Sequence, residues 1–409
     1  MKNLVSETGN SGPRVRSDCL IRLDISKKNG ISIDLDSKVK SMYGNSITEL
    51  CMDILRFFDI KNASLGIIDS GALPFVIMAR LEAAIRTLIP AEKEYLPDMI
   101  EEGKYQSDRF RFRFSRLYLP GNTPSMMINA GLHSANGIIL DLEDSVAPAK
   151  KGEARILVRN ALRQINFYGA ERMVRINQGD MGIEDLNYVV PHNLHLILIP
   201  KCEDPDHLKK VSEHVDRIRK ENGIKSQVYL MPIIESALGV ERAFEIANSS
   251  ANIVAMAIGL EDYTADLGVQ RTVEGRESLY ARLRIINASK AAGIQPIDSV
   301  FSDVSDLEVL EKNVKLSKSI GFEGMGCIHP RQIAVIHTGF APEPEEIEKA
   351  ARIVLAFREA VKRGEGVVSL GSKMIDPPVV KRAEKTISLA LRLNLIPGDW
   401  ESEIINKEE

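Results

Sequence analysis

The stretch Ile139-Leu-Asp-Leu-Glu-Asp144, an apolar run that ends in carboxylates, is one of eight such runs between residues 113 and 330, each ending in a polar or turn-forming tag. Segments with helical spacing separate the runs, so strand and helix alternate eight times; this predicts an α/β fold, a (β/α)8 TIM barrel. The helical segments include 149–165, 205–221, 236–248, 277–292 and 305–319. The tags are Leu119-Pro-Gly-Asn122, Asp141-Leu-Glu-Asp144, Arg175-Ile-Asn177, Pro200-Lys-Cys-Glu203, Ile234-Glu-Ser236, Gly259-Leu-Glu-Asp262, Asp298-Ser-Val300 and Cys327-Ile-His-Pro330.

The tags are predicted to meet at one rim, because the carboxyl ends of all barrel strands point to the same face and carry the active-site loops. This rim would hold many carboxylates, one arginine and one histidine. Such a set indicates a metal-assisted enzyme site.

The composition is typical of a soluble globular protein, with 44% hydrophobic and 27% charged residues. We expect no membrane partner and a cytoplasmic location, because no apolar run approaches a membrane span and the first thirty residues carry charges throughout. The net charge of −4 gives no general attraction to nucleic acid. Four widely spaced cysteines without a CxxC pair indicate neither a zinc site nor a disulfide framework.

The 409 residues exceed one barrel, so we expect further domains. Residues 1–95 are predicted to form a small α+β domain: a loose start over 1–15, a hairpin of strands 18–24 and 30–35 joined by the turn Lys27-Lys-Asn-Gly30, and then further elements. Residues 96–112 are predicted as a linker, 113–342 as the barrel and 343–409 as a helical extension. The further elements are a helix at 46–58, a strand at 63–69, an amphipathic segment at 74–88, and C-terminal helices at about 344–362 and 378–393.

Glu235 and Asp262 stand at the ends of the fifth and sixth predicted barrel strands. Neighbouring strands lie about 5 Å apart, so two carboxylates there can share one hard cation. Two carboxylates with several waters suit Mg²⁺, with Mn²⁺ as the other candidate. Each acid alone could instead cap a helix or pair with an arginine, but two at adjacent strand ends favour the metal.

Asp141, Glu143 and Asp144 crowd the end of the second strand, and Arg175 ends the third. Alternation places Asp141 and Glu143 on the same side, which makes them candidates to bind substrate. The planar guanidinium of Arg175 is suited to clamp a substrate carboxylate. It could equally be the partner of Asp141 or Glu143, and both roles can hold at once.

Arg116 and the turn Pro120-Gly-Asn122 could donate hydrogen bonds to phosphate or carbonyl oxygens of a ligand, although Pro-Gly-Asn is also an ordinary turn. His329 could be catalytic. It precedes Pro330 in a tight turn, where an imidazole often bonds to the backbone, so we interpret it as structural.

The segment from Ser115 to about Pro342 resembles the citrate lyase beta-subunit family, whose relatives include malyl-CoA and citramalyl-CoA lyases. The resemblance covers more than half of the chain. The stretches that carry it are Ser115-Arg-Leu-Tyr-Leu-Pro-Gly-Asn122, Ile139-Leu-Asp-Leu-Glu-Asp144, Val174-Arg-Ile-Asn177, Ile199-Pro-Lys201, Ile234-Glu-Ser236, Gly259-Leu-Glu-Asp262, Gly268-Val-Gln-Arg-Thr272 and Cys327-Ile-His-Pro330.

The resemblance implies Mg²⁺ on Glu235 and Asp262, substrate held by the metal and Arg175, and reversible carbon–carbon cleavage of a 3-hydroxyacyl-CoA thioester. Asp298 matches the family aspartate that acts as acid or base, often at a neighbouring subunit's site. The resemblance also implies a homo-oligomer, a trimer or hexamer. The physical chemistry agrees, because a metal bound to the substrate hydroxyl lowers its pKa and promotes cleavage.

The N-terminal domain resembles the citrate lyase acyl carrier (gamma) subunit through Ser17-Asp18, Ile31-Ser-Ile-Asp-Leu35 and Asp69-Ser-Gly-Ala-Leu73 with Ala79-Arg-Leu-Glu-Ala-Ala84. In that family a serine just before Ser-Asp carries the prosthetic arm. Here Arg16 takes that position, and Ser17 is the only adjacent hydroxyl. This departure favours an enzyme that acts on free coenzyme A thioesters.

The leading hypothesis is therefore a Mg²⁺-dependent lyase for malyl-, citramalyl- or citryl-type CoA thioesters. The alternatives are a carrier-linked citryl lyase modified on Ser17, a thioesterase that uses the same site, and a non-catalytic assembly subunit.

Overall fold

The structure is a computed structural model that describes residues 4–26, 29–364, 368–370 and 373–401. The chain divides into two compact units, Met1–Ile333 and Ala334–Glu409. The first contains the small N-terminal domain and the barrel together.

The N-terminal domain is a four-stranded sheet with two helices. Its strands are arranged in the order β1-β2-β4-β3, with β2 antiparallel to both neighbours and β3 parallel to β4. One apolar core, which includes Ile21, Leu65, Ile54 and Leu81, joins the sheet to both helices. The elements are β1 (Val5–Gly9), β2 (Cys19–Asp24), β3 (Ile31–Ser37), α1 (Lys40–Phe57), β4 (Ala63–Asp69) and α2 (Pro74–Leu88).

Two predictions for this domain were wrong. Residues 5–9 form a strand instead of a loose segment, and β2 and β3 do not form a hairpin, because each pairs with β4 instead. Alternation predicts that a segment is a strand but does not predict its partner, and the helix α1 provides the crossover that parallel β3 and β4 require. Lys27 and Lys28 of the predicted turn lie outside the described residues.

The barrel has eight strands, as predicted. They are all parallel to their neighbours, in the order β11-β10-β9-β8-β7-β6-β5-β12. Asp298 closes the ring between β11 and β12, because its N–H donates to the Gly324 carbonyl (2.8 Å) and its carbonyl accepts from the Gly326 N–H (3.2 Å). The strands are β5 (Ser115–Pro120), β6 (Gly137–Asp141), β7 (Glu171–Arg175), β8 (Leu196–Ile199), β9 (Tyr229–Ile234), β10 (Ala255–Ile258), β11 (Gln295–Ile297) and β12 (Met325–Cys327).

Helices surround the barrel close to the predicted positions. The predicted helix 236–248 is two short helices that meet at Arg242. Asp204 and Asp306 cap two of the longer helices by accepting from backbone N–H groups of the first turn. The helices are α3 (Pro124–Met127), α4 (Lys151–Gln164), α5 (Gly179–Val189), α6 (Pro205–Glu221), α7 (Ala237–Glu241), α8 (Ala243–Ala247), α9 (Leu260–Asp266), α10 (Leu279–Ala291) and α11 (Leu307–Ile320). The next helix, α12 (Arg331–Phe340), spans the boundary between the two units.

Residues 96–112, the predicted linker, lie across the amino-terminal ends of the barrel strands. The Tyr105 hydroxyl donates to the Ala170 carbonyl (2.6 Å), and Arg172 donates to the Tyr105 carbonyl (3.0 Å). Arg109 donates to the Ala251 carbonyl (2.7 Å). This segment therefore closes the end of the barrel opposite the predicted site.

The second unit contains α13 (Pro344–Lys362), β13 (Val368–Leu370), β14 (Lys373–Ile375) and α14 (Pro377–Arg392). The two helices match the prediction and pack together through a core with Trp400, whereas the short antiparallel pair β13–β14 was not predicted. Within the described ranges of the whole chain, no helix has the length and apolar character to cross a membrane.

Candidate active site

A cavity of 1080 Å³ opens at the carboxyl ends of the barrel strands, as the tags predicted. Glu143 and Asn122 are the two predicted site residues that do not line it. The predicted residues that do line it are Arg116, Pro120, Asp141, Arg175, Glu235, Asp262 and Asp298.

Arg175 and Asp141, at the ends of β7 and β6, form a bidentate pair. The Arg175 Nε donates to Oδ1 (2.7 Å) and its Nη2 donates to Oδ2 (2.8 Å). Burial alone raises the pKa of the Asp141 carboxyl, but the hydrogen bonds and charge of Arg175 outweigh burial and hold that pKa below its ordinary value. The pair fixes the arginine at the cavity wall.

Glu143 is the second carboxylate on Arg175, at 2.9 Å from Nη1, and it also accepts from the Gln178 amide (2.8 Å). Burial raises the pKa of its carboxyl. A guanidinium has five N–H groups. Since Asp141 accepts from two of these N–H groups and Glu143 contacts Nη1 as an ion pair without a hydrogen bond, Arg175 retains donors for a ligand. Arg175 can therefore be the partner of Asp141 and Glu143 and still bind a substrate carboxylate.

Glu235 follows β9 and is buried with few partners. Its Oε2 accepts one hydrogen bond, from the Lys201 backbone N–H (2.9 Å). Burial raises the pKa of the carboxyl to about 7, and the nearby charge of Asp262 also raises it. Gly259 leaves the space that this side chain needs, because a Cβ there would lie 2.4 Å from the Glu235 Oε1.

Asp262 lies in the first turn of α9, half exposed, on the same cavity. The Lys201 ammonium contacts its Oδ1 at 3.1 Å, so Lys201 contacts both predicted metal ligands. Lys201 has φ +48°, a left-handed conformation that is rare for a side chain other than glycine. In the sequence Lys201 stands only within the matching stretch Ile199-Pro-Lys201, where its left-handed backbone is not visible.

The carboxylates of Glu235 and Asp262 fit a hard cation. Within the described residues, no group of three or more His, Cys, Asp or Glu side chains is arranged to hold a metal. Two carboxylates that face a water-accessible cavity match Mg²⁺, which keeps several waters, better than Zn²⁺, which takes three or four protein ligands.

Asp298 lines the cavity, and both oxygens of its carboxylate have hydrogen-bond partners. Its Oδ2 contacts the Arg282 guanidinium and accepts from the Ser317 hydroxyl (2.5 Å), while its Oδ1 accepts from the Ser299 N–H (2.9 Å). Ile297 faces the barrel interior, so strand alternation turns Asp298 toward α10 and α11. These contacts favour a role in holding the closed barrel over proton transfer.

The turn after β5 is anchored on both sides. The Gly121 N–H donates to the Asp141 carbonyl (2.7 Å), and a Cβ at Gly121 would lie 2.5 Å from that oxygen. The Asn122 carbonyl accepts from Arg80 of the N-terminal domain (2.9 Å). The turn thus joins the rim of the cavity to that domain.

His329 lines the cavity, and its Nδ1 accepts from the Arg331 backbone N–H (3.1 Å). This is the backbone contact that the structural interpretation predicted.

Comparisons with known proteins give the family. The model for HpcH/HpaI aldolase/citrate lyase matches residues 115–330, and the model for the malonate decarboxylase delta subunit matches residues 8–88. Citrate lyase subunit beta from Leuconostoc mesenteroides subsp. cremoris is 37% identical over 292 residues, which are 71% of this chain and 97% of the relative.

Human mitochondrial citramalyl-CoA lyase is 30% identical over 336 residues, which are 78% of this chain and 98% of the relative. The crystal structure of CitE from Mycobacterium tuberculosis in complex with magnesium, acetoacetate and coenzyme A is similar with a TM-score of 0.58 and 28% identity. It covers 69% of this chain and 99% of that one. With the matched barrel spanning more than half of its residues, the chain belongs to the HpcH/HpaI aldolase/citrate lyase family.

Proposed function

We propose that this chain is a Mg²⁺-dependent carbon–carbon lyase that cleaves a 3-hydroxyacyl-CoA thioester to a keto acid and an acyl-CoA. The observation that carries the proposal is Glu235, a buried carboxylate with a single hydrogen bond, on one cavity with Asp262 and Arg175. Relatives with the same barrel are a citrate lyase subunit and a citramalyl-CoA lyase, and a similar structure binds magnesium and coenzyme A.

Glu235 and Asp262 would hold the metal. When bound, the metal supplies positive charge that lowers the pKa of a coordinated substrate hydroxyl. The Lys201 ammonium, 3.1 Å from the Asp262 carboxylate, would release that carboxylate as the cation enters. Arg175, fixed by Asp141, would use its remaining N–H groups to orient the carboxylate beside the substrate hydroxyl.

The proposed reaction is a retro-aldol-type cleavage of one carbon–carbon bond. The hydroxyl passes its proton to a general base, and the carbon–oxygen bond becomes a carbonyl. The bond between the carbinol carbon and the thioester α-carbon breaks, and its electron pair forms the thioester enolate. A proton donor must then protonate the enolate carbon. The family resemblance implies that Asp298 acts as acid or base, often at a neighbouring subunit's site, whereas the three hydrogen bonds of its carboxylate support a positioning role in this chain.

The N-terminal domain is fastened to the barrel by buried charges. Arg80 binds Asp18 within its own domain and the Asn122 carbonyl of the barrel, both at 2.9 Å. Arg159 of α4 binds Glu82 of α2 at 2.7 Å, and both side chains are fully buried. These contacts support a fixed domain and an enzyme that uses free coenzyme A thioesters.

The carrier-linked alternative depends on whether Ser17 carries a prosthetic arm. Its backbone N–H donates to the Ser70 carbonyl (3.0 Å) and its φ is +55°. Intact mass spectrometry tests this alternative, since an arm on Ser17 adds mass that a Ser17→Ala variant lacks. We expect an unmodified mass. A homo-oligomer and a cytoplasmic location stay predictions from the sequence.

Product analysis tests the proposed reaction. Malyl-, citramalyl- and citryl-CoA are incubated with Mg²⁺, and keto acid and free thiol are measured separately. The proposal predicts keto acid and an acyl-CoA in equal amounts from at least one thioester. Free thiol without keto acid would indicate a thioesterase, and neither product from any thioester would overturn the proposal.

A further inference from the structure

Arg116 is a buried arginine on the floor of the active-site cavity. It lies in β5, is 1% exposed, and lines the cavity together with Tyr118 and Gly326. Its Nη1 lies 3.0 Å from the Met231 sulfur, and its Nη2 lies 3.5 Å from the Asp298 carbonyl. Among the described residues, its Nε has no hydrogen-bond partner.

The charge of Arg116 is not balanced within the described part of the chain. No carboxylate there lies within ion-pair distance, 4.0 Å, of its nitrogens. Glu171 pairs with Arg113 at 2.7 Å, and the Asp298 carboxylate contacts Arg282. Both of these acids are therefore committed to other arginines.

Four other arginines are as deeply buried, and each has the partners that Arg116 lacks. Arg80, Arg113 and Arg159 are paired with carboxylates. Arg172 donates to the carbonyls of Gly103, Tyr105 and Asn193. A buried charge without a partner is costly, so proteins keep one mainly where a ligand supplies the opposite charge.

We propose that Arg116 binds a second carboxylate of the substrate and makes the enzyme selective for thioesters whose keto-acid product is a dicarboxylate. This inference rests on the proposed function. Malyl and citramalyl groups carry one carboxylate, beside the hydroxyl, and Arg175 is placed to bind it. A citryl-type group carries one more, and Arg116 is the second arginine that lines the same cavity.

Keto-acid binding with Mg²⁺ present tests the inference without turnover. Dissociation constants are measured by calorimetry for pyruvate, oxaloacetate and 2-oxoglutarate. The wild type should bind at least one of the two dicarboxylates at least tenfold more tightly than pyruvate. Arg116→Met should remove this preference, with a far smaller effect on pyruvate, and Arg116→Lys should restore part of it.

Thermal stability gives a second, independent readout. Because Arg116 is unpaired without ligand, Arg116→Met should leave the melting temperature of the ligand-free protein unchanged or raise it. Arg113→Met is the matched control, since it removes a paired arginine near the start of the same strand, and it should lower the melting temperature.

Equal affinity of the wild type for pyruvate and both dicarboxylates would overturn the inference, and so would an equal loss for all three acids in Arg116→Met. Either result together with Mg²⁺-dependent cleavage of a thioester leaves the proposed function intact. Absence of cleavage with every thioester would overturn the proposed function, while the binding data would still decide the role of Arg116.

Discussion

The two ends of the barrel differ in whether certain buried charged side chains have a partner of opposite charge. At the amino-terminal end Arg113 and Glu171 form a fully buried pair at 2.7 Å, and Ser107 adds a further hydrogen bond to Glu171. At the carboxyl end Glu235 accepts one backbone hydrogen bond and Arg116 has no acidic partner within the described residues.

We interpret the paired charges as structural and the unpaired charges as candidates to bind ligands. The closed pairs under the barrel need nothing from outside and hold residues 96–112 in place. Burial even lowers the pKa of His195 at that end to about 3, which keeps the imidazole neutral. The charges at the other end that lack partners raise the energy of the ligand-free protein, and a bound cation and anion would balance them.

The largest expected effect comes from Glu235→Gln, which keeps the shape of the side chain and removes a charged metal ligand. We expect turnover to fall by about a thousandfold or more, because cleavage depends on the bound cation. Steady-state kinetics over a range of Mg²⁺ concentrations measures this loss. Turnover within tenfold of the wild type would show that the cation binds elsewhere.

The next largest effect is expected from Arg175→Lys, since lysine keeps the charge but cannot reproduce the bidentate contact with Asp141. We expect kcat/KM to fall roughly 100-fold, as expected when an oriented charged contact is lost. If the loss is only in KM and kcat is unchanged, the arginine binds substrate without orienting it for cleavage.

Arg113→Met should show the opposite pattern at the closed end of the barrel. Removing one partner of a buried pair leaves Glu171 uncompensated, so the free energy of unfolding should fall by about 3–5 kcal/mol. Turnover per folded molecule should stay within about threefold, as Arg113 does not line the cavity. Denaturant unfolding and kinetics on the same sample decide this.

Asp298→Asn separates the two interpretations of that residue. The structure predicts a loss of unfolding free energy of about 2–4 kcal/mol, because Arg282 loses its charged partner, and turnover within tenfold. A loss of turnover of about a thousandfold with unchanged stability would instead support the acid–base role.

Mg²⁺ binding should also depend on pH. The pKa of Glu235 is raised to about 7, so below that pH the carboxyl is protonated and must lose its proton to bind the cation. Affinity should rise by about tenfold per pH unit up to pH 7 and then level off. In the metal-free protein the sign reverses, because stability falls as the pH rises from the ordinary value of 4.5 through 7.

Calorimetry from pH 5 to 8 measures the affinity, and Glu235→Gln serves as the control. A flat profile would show that Glu235 is already ionised at pH 5.

The sequence predicted the barrel and the residues at its carboxyl rim, because the carboxyl ends of parallel barrel strands meet at one face in any such barrel. That geometry alone brings Glu235, Asp262 and Arg175 onto one cavity. Strand alternation predicts that Asp298 points away from the side on which Ile297 faces inward, whereas its role as acid or base is implied only by the family resemblance and stays a prediction. The pairing of β3 with β4 depends on tertiary packing, which no local pattern contains.

The sequence also could not predict which buried charged side chains lack a partner. Arg116 and Arg113 lie three residues apart and look alike in a sequence, yet only Arg113 has a carboxylate beside it. Whether a buried charge is paired depends on residues far along the chain, here Glu171.

Direct titration of the protein with Mg²⁺ at pH 8, in the wild type and in Glu235→Gln, tests the central claim that Glu235 at the carboxyl end of the barrel belongs to a cation site. The account predicts one Mg²⁺ per chain in the wild type, and binding weakened at least 100-fold in the variant. Equal binding by both proteins, or none by the wild type even with oxaloacetate present, would contradict it.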